Sequence, residues 1–447
     1  MRAQGVALRK QISRSAHVTL KTPTRDAISI LEDQHRSRIA DLVPIRVGRM
    51  AQSPFAFYRG TAAVMAHDLA SDPVTGLDVV ACGDAHVANF GLYATPERTL
   101  TFDLNDFDEA SDAPWEWDVK RLATSALIGA LDTGLRSDQA QDIARACVTA
   151  YRQTLAEMMR LSAIERYYYN GETSWMQTTL DSETQKIVRR TARKAQRNTS
   201  ERMLDKIEFT TVDGRVRIVD EPPIMQHDSS ITPELATHLF TEYLHTVRAD
   251  IAVLLSQFSL VDTVLRVVGV GSVGMQNYIQ LLMGTRDEPF FLQVKEAQAS
   301  VIHTYGKRPS RFQTDVRRRD HGGIHGFRVI SCQRTLQAAS DPFLGYFSSN
   351  GRDFYVRQFR DMKGSLDLTI LNASQWTHYA ALCGDLLARG HSQSPNGMVI
   401  DGYLNGSERF DDAITAWAVA YADVVQRDFE ALEAAITSGR LPIERGV

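Results

Sequence analysis

The chain is poor in cysteine and has no paired cysteine motif: Cys82, Cys147, Cys332 and Cys383 stand far apart in 447 residues. That scatter argues against a structural zinc site and a disulfide framework, and it fits a reducing, cytoplasmic compartment. No apolar run reaches the length of a bilayer span. The opening residues, MRAQGVALRKQISRSAH, lack the apolar centre of a signal peptide and read as a frayed basic terminus. Neither charge sign dominates: 50 Lys and Arg stand against 54 Asp and Glu, a formal charge of -4, so nucleic acid is not indicated as the main partner. Internal repeats and low-complexity linkers are missing too. No Glu occurs between Glu296 and Glu408, an absence that matters below. What the chain does have is 43% hydrophobic residues, enough for a large core, and a length that suits two lobes better than one compact unit.

The most informative stretch is Val80–Asp118, VACGDAHVANFGLYATPERTLTFDLNDFDEASDAPWEWD. Its polar groups Asp84, Asn89, Asp103, Asp106 and Asp108 sit on or beside short turns between apolar segments. Buried without partners, such groups cost roughly 2 kcal/mol or more each, so water or a cation must compensate them. A hard divalent ion such as Mg²⁺ takes oxygen ligands and keeps substrate phosphates in its shell. Asn89 and Asp106 are the ligand types it needs, with Asp108 or Asp103 in reserve. Asp84 lies five residues before Asn89, so one tight loop can aim a carboxylate at an incoming hydroxyl while the amide holds the metal. Leu100–Leu104 reads as a returning strand after the turn Pro96-Glu97-Arg98, which brings Asp106-Phe107-Asp108 to face that loop. Each group alone suits a helix cap or a solvated turn equally well. Together they point to a phosphoryl-transfer centre.

The second stretch is Leu265–Ala297, where Gly269, Gly271 and Gly274 form GxGxxG. That motif alone is weak. A dinucleotide site needs a helix directly after the glycines, whereas Asn277–Leu282 is β-favouring and Phe290–Lys295 makes a further strand. Strand, glycine turn, strand, turn and strand ending in a Lys describe a hairpin that covers nucleotide phosphates. Gly269, Gly271, Ser272 and Gly274 then form the turn, and Lys295 supplies a point charge to the phosphates. The Glu that pairs with such a Lys is lacking. Glu296 points to the opposite face of the strand, and the helix expected at Arg328–Ala339 offers Gln333 and Gln337 instead; Asp315 and Asp320 are the other candidates.

Elsewhere the signals are plainer. Lys186–Lys206 is a basic run without interleaved aromatics, read as a solvated helix face that can also guide a polyanionic substrate. Lys206–Val219 reads as a hairpin across Val212-Asp213-Gly214, and His238–Phe258 as helical. Gly345–Phe347 and Phe354–Phe359 form a hairpin across Asn350-Gly351. Arg59 suits a salt bridge at least as well as a phosphate. Lys120 and Arg121 suit ion pairs better than substrate contacts. Trp376–His391 and Phe410–Ile436 read as helices, with His378 and His391 structural.

Gly83-Asp84-Ala85-His86-Val87-Ala88-Asn89 resembles the catalytic loop of the aminoglycoside and choline phosphotransferases, which have the protein-kinase-like fold. Asp106-Phe107-Asp108-Glu109-Ala110 resembles their metal-binding segment, and Asp118 falls where that family has an Asp on the next helix. Cys82 departs from the usual His. Most of the chain, including Asp341–Phe347 and Tyr355–Ser365, is similar to the bacterial family called domain of unknown function 2252. These resemblances imply a two-lobed α+β fold of protein-kinase-like type with circularly permuted order, since the catalytic loop here precedes the glycine turn. The expected division is residues 1–255 and 365–447 for a larger helical lobe and 256–364 for a smaller β-rich nucleotide-binding lobe. The backbone at Gln358–Arg360 is expected to meet adenine, with Arg357 and Lys363 nearby. The implied activity is ATP- and Mg²⁺-dependent phosphoryl transfer to a hydroxyl of an unidentified small molecule or protein, with Asp84 as the base. A non-catalytic nucleotide-binding pseudokinase and a nucleotidyl (AMP) transferase are the alternatives, and an NAD-dependent enzyme would need a helix at Met275–Leu282.

Overall fold

The computed structural model describes residues 1–21, 24–169, 182–197, 200–204, 207, 209–212, 215–267, 269–309, 324–359 and 362–446. Arg360, Asp315, Asp320 and the turn at Asp213-Gly214 lie outside them. The fold is mixed α+β. Its strands are β1 (Asp78–Ala81), β2 (Phe90–Ala94), β3 (Leu100–Leu104), β4 (Ser111–Pro114), β5 (Phe209–Val212), β6 (Arg215–Ile218), β7 (Met225–Gln226), β8 (Ser259–Arg266), β9 (Asn277–Met283), β10 (Pro289–Ala297), β11 (Gly345–Ser349) and β12 (Arg352–Gln358).

The helical part forms around Trp115–Asp132, Ser137–Met158, Ala373–His391 and Arg409–Thr437. Aromatic rings knit it: Trp115 stacks on Tyr151 at 5.9 Å, and Trp417 on Tyr421 at 4.7 Å. Two small antiparallel ladders, β1 with β4 and β2 with β3, sit on this core. Because β1 runs into the loop 82–89 and β3 into the segment 105–110, both polar connections emerge together. Among the described residues no helix is long and apolar enough to cross a membrane.

The second layer is a six-stranded antiparallel sheet in the order β11-β12-β10-β9-β8-β7. β8, the glycine turn, β9 and β10 follow one another as the pattern of apolar runs requires. A strand at Asn277–Met283 occupies the place where a dinucleotide fold needs a helix. The helix Ile324–Leu336 connects β10 to β11, and Asn350-Gly351, both at positive φ, make the tight turn between β11 and β12.

Residues 207–255, which the sequence reading assigns to the helical lobe, pack on this sheet. Phe240, Tyr243, Ile251 and Leu255 share a core with Leu265, Leu282, Leu292 and Val356, and Ile207, Ile218 and Met225 share another with Val264 and Phe291. His238–Phe258 is also not one helix. It falls within Pro233–Leu244 and Ala249–Leu255, parted by a short turn.

Candidate active site

The loop 82–89 is held from below by a single carboxylate. Asp118, buried on Trp115–Asp132, accepts the backbone N–H groups of Cys82 at 2.6 Å and Gly83 at 2.9 Å, and lies 3.1 Å from His391 Nε2. Gly83 adopts φ +76°, and a Cβ there would lie 2.3 Å from the Glu109 carbonyl oxygen. Only glycine lets the loop pass so close to the acidic segment. The Asn89 amide joins the two: its Nδ2 donates to the carbonyls of Asp84 at 3.1 Å and Asp106 at 2.9 Å, and its Oδ1 accepts the Asp106 N–H at 2.7 Å. Cys82 keeps a neutral thiol, because burial and then Asp118 push it up. Bracing comes from Asp118 and Asn89 instead.

Asp84 projects into a cleft of about 830 Å³ that is also lined by Asn89, Asp106, Asp108, Gly269, Gly271, Ser272 and Lys363. Its Oδ1 takes both Arg121 Nε at 2.9 Å and Nη2 at 2.7 Å. Arg121 is itself fixed by the Tyr58 carbonyl at 2.8 Å and by the Tyr58 ring. Asp84 Oδ2 lies 3.8 Å from His86 Nε2. Burial pushes that imidazole down to about 4, so it is neutral at pH 7.

Lys295 arrives from β10 in register with Tyr355 of β12. Its ammonium lies 2.6 Å from Asp108 and 3.2 Å from Asp106, and the Tyr355 hydroxyl donates to Asp108 at 2.6 Å. Burial alone would lower Lys295, but the Asp106 and Asp108 carboxylates overcome it and hold the ammonium above the usual lysine range. Burial alone would likewise raise Asp106, yet Lys295, Arg357 and Lys363 hold it well below the usual carboxylate range. Half of the Asp106 side chain, 49%, stays open to the cleft. Lys363 is pushed down to about 7 by burial and by Arg357.

The partner of Lys295 is therefore the acidic segment itself. Gln333 bonds Gln337, and Gln337 bonds the Leu104 carbonyl, which uses both amides structurally. Their helix contributes Arg328, which donates to the carbonyls of Ala110, Asp108 and Gln298 and pins the acidic segment from its far side. Glu296, on the opposite face of β10, pairs with Arg352 at 2.6 Å.

A family model described as an uncharacterized protein conserved in bacteria (DUF2252) matches residues 38–435. The chain belongs to that family. No curated protein and no solved structure matches it. Every cleft residue described above in this DUF2252 protein lies inside the matched span.

Several expected positions differ. The Gln358 N–H, expected to face a base, instead donates to Asp341 at 2.6 Å, and Gln358 lines a separate cavity of about 120 Å³ with Arg357 and Asn105. Asp103 is no reserve ligand: it is 1% exposed and held by Arg389 and the Leu104 and Ala338 N–H groups. Lys120 pairs with buried Asp72 at 2.6 Å. Gly274 is not part of the cleft wall, because its carbonyl accepts the Ile39 N–H at 2.7 Å. The Val273 carbonyl accepts Arg38, and the Gly269 carbonyl accepts Arg49 at 2.5 Å. The connection at Arg38-Ile39 and the helix Val43–Met50 thus clamp the glycine turn at three points, and nothing in the local sequence pattern announces that clamp. Arg121 and Arg59 are the residues most underrated in the sequence. A carboxylate at Asp84 needs a fixed cation beside it, and Arg121, one turn into the following helix, is the signal that could have found it.

Proposed function

We propose that the cleft binds ATP with Mg²⁺ and transfers its terminal phosphoryl group to a hydroxyl of an acceptor. The supporting observation is that buried Lys295 bonds Asp106, 189 residues away, and that Asp106 lines one cleft with Asp84, Asn89 and the glycine turn. The strand run β11-β12-β10-β9-β8, with the helix Ile324–Leu336 between β10 and β11, suits the small lobe of a protein-kinase-like fold. A permuted order follows from the position of the loop ahead of that sheet.

The donors fit Mg²⁺. Among the described residues no group of three His, Cys, Asp or Glu side chains can hold a metal unaided. Mg²⁺ usually takes one or two carboxylates and completes its shell with water and phosphate oxygens. Among the described residues Asp106 Oδ2 takes no hydrogen bond, and it would serve as the carboxylate. Asn89 Oδ1 retains one lone pair beyond its bond to the Asp106 N–H. Asp108 is the poorer ligand, with both oxygens engaged by Lys295 and Tyr355. When bound, the ion neutralises phosphate charge. The chain itself does the positioning. Arg121 fixes one oxygen of Asp84, leaving Oδ2 to accept the acceptor hydroxyl and aim it. Lys295 moves from carboxylate to phosphate as nucleotide enters.

The second reading, a non-catalytic nucleotide-binding protein, is favoured by the tie of Lys295 to Asp106 and Asp108 and by the lack of a Glu partner. ATP labelled at either the α- or the γ-phosphate separates the readings, with water as the default acceptor. Release of γ-label that Asp84→Ala abolishes, with nucleotide binding intact, supports phosphoryl transfer. Transfer of α-label indicates a nucleotidyl transferase, and binding without release of either label indicates the non-catalytic protein. Unchanged turnover in Asp84→Ala removes Asp84 from the mechanism.

A further inference from the structure

We infer that the acceptor is a phosphate-bearing hydroxyl compound whose phosphate is held by Arg59 and drawn in along the basic helix Ser182–Gln196. The inference rests on the phosphotransferase reading for the word acceptor, and on separate observations for the phosphate.

Arg59 ends the helix Pro54–Arg59 and lines the cleft. Its Nε is buried without a hydrogen-bond partner, and its guanidinium makes no hydrogen bond or ion pair among the described residues. The neighbouring cations are spoken for: Arg46 donates to the Gly60 carbonyl at 3.0 Å, Arg38 to Val273, and Arg121 to Asp84. Burial lowers Arg59 from its ordinary value, yet a guanidinium stays charged in a protein. A half-buried cation with idle donors is costly, and a planar fork of N–H groups is matched by a phosphate or carboxylate.

Its place in the cleft decides which ligand it serves. Arg121 donates both to the carbonyl of Tyr58, the residue before Arg59, and to Asp84, which sets Arg59 near that carboxylate, whereas Lys295 pairs with Asp106 and Asp108. The cleft therefore has a cation near each carboxylate group, Arg59 on the side of Asp84 and Lys295 beside Asp106 and Asp108. The Asp106 side suits the nucleotide. The Arg59 side lies at the hydroxyl-orienting end, where a second anion belongs to the acceptor.

An independent feature points the same way. Lys194 lines both this cleft and an adjoining cavity of about 660 Å³ walled entirely by lysine and arginine. Arg190, Arg193 and Arg197 in that wall make no hydrogen bond or ion pair among the described residues. The helix that carries most of them is seated at the cleft mouth by close packing: a Cβ at Gly364 would lie 2.9 Å from the Ala195 Cβ. Single-sign charge lining a cleft raises the local concentration of anions and their association rate. No aromatic side chain lines the cavity to stack a base, which favours a compact phosphate ester over a nucleic acid.

The test is calorimetric titration of the full chain, saturated with Mg²⁺ and a non-hydrolysable ATP analogue, using inorganic phosphate, glycerol 3-phosphate and glycerol as probes. Phosphate and glycerol 3-phosphate are expected to bind and glycerol is not. Arg59→Gln is expected to weaken phosphate binding about tenfold or more, the loss of a charge-assisted contact, and Arg59→Lys to restore part of it. The surface pair Arg193→Gln/Arg197→Gln, which risks nothing in the core, is expected to flatten the salt dependence of association. Phosphate affinity unchanged in Arg59→Gln, glycerol binding as well as its phosphate ester, or an oligonucleotide binding more tightly than either ester overturns the inference. Arg59-dependent phosphate binding without any label transfer would sink the phosphotransferase reading and leave the anion site standing. Label transfer to neutral polyols, indifferent to Arg59, would do the reverse.

Discussion

Replacing Asp118 by Ala removes the one side chain that accepts from both Cys82 N–H and Gly83 N–H, at 2.6 and 2.9 Å. A buried donor left unsatisfied costs about 1–3 kcal/mol. Cys82 is fully buried and Gly83 only partly, so the pair is worth roughly 2–4 kcal/mol by the same scale. His391 Nε2, 3.1 Å away, loses a partner as well. Asp118→Asn keeps one acceptor oxygen and turns a donor toward the other N–H, so about half of that loss is expected. Urea unfolding of wild type and both variants, with slopes compared to confirm an unchanged transition, measures the difference. Because the loop carries Asp84 and Asn89, turnover in the folded variants should fall by more than nucleotide affinity does. A Asp118→Ala midpoint within about 0.5 kcal/mol of wild type, the range of an ordinary surface change, would refute the idea that this carboxylate braces the loop.

Lys295→Met should raise the dissociation constant for Mg²⁺-nucleotide about tenfold or more, roughly 1.4 kcal/mol, in a fluorescent-nucleotide titration; unchanged affinity would exclude contact between Lys295 and phosphate. Gly83→Ala should lower the urea midpoint by roughly 1–3 kcal/mol, since a side chain there is strained at φ +76° and meets the Glu109 carbonyl. Glu116 supplies a pH test. It is fully buried, Thr75 donates to its Oε1 twice at 2.7 Å, its Oε2 has no partner among the described residues, and burial raises its carboxyl from 4.5 to about 7. The folded state then holds this proton more tightly than the unfolded chain, so the contribution of Glu116 is full below pH 4.5, declines as pH rises to about 7 and stays unfavourable above. Glu116→Gln should leave stability near pH 4 unchanged and raise it at pH 8 by up to roughly 3 kcal/mol, read from denaturation midpoints at the two pH values.

The parts of this molecule legible in its sequence are those set by short-range chemistry. The loop 82–89, the returning strand Leu100–Leu104, the Asn350-Gly351 hairpin and the strand carrying Lys295 all follow from turn residues and apolar alternation within about a dozen positions. Lys295 lies beside Asp106 and Asp108 as the motifs implied, but as their ion-pair partner in place of a distant glutamate. What escaped the sequence is long-range. Arg328 on the acidic segment, Arg121 on Asp84 and Arg38 with Arg49 on the glycine turn are arginines among fifty basic residues, and only the folded chain says which ones are spent on structure. The same holds for residues 207–255. The hairpin pattern of their first part and the helical periodicity of their second are plain, but periodicity does not say which layer an apolar face covers.

The clamp on the glycine turn bears on the timing of ligand entry. Ile39, Arg38 and Arg49 must release three carbonyls before the turn can lift. At about 1 kcal/mol for each net hydrogen bond, the lifted form is populated on the order of one molecule in a hundred. Any compound that needs this door ajar binds correspondingly more weakly than its contacts alone would allow. Loosening the latch at Arg49, which holds the Gly269 carbonyl, would quicken association without adding a single new contact.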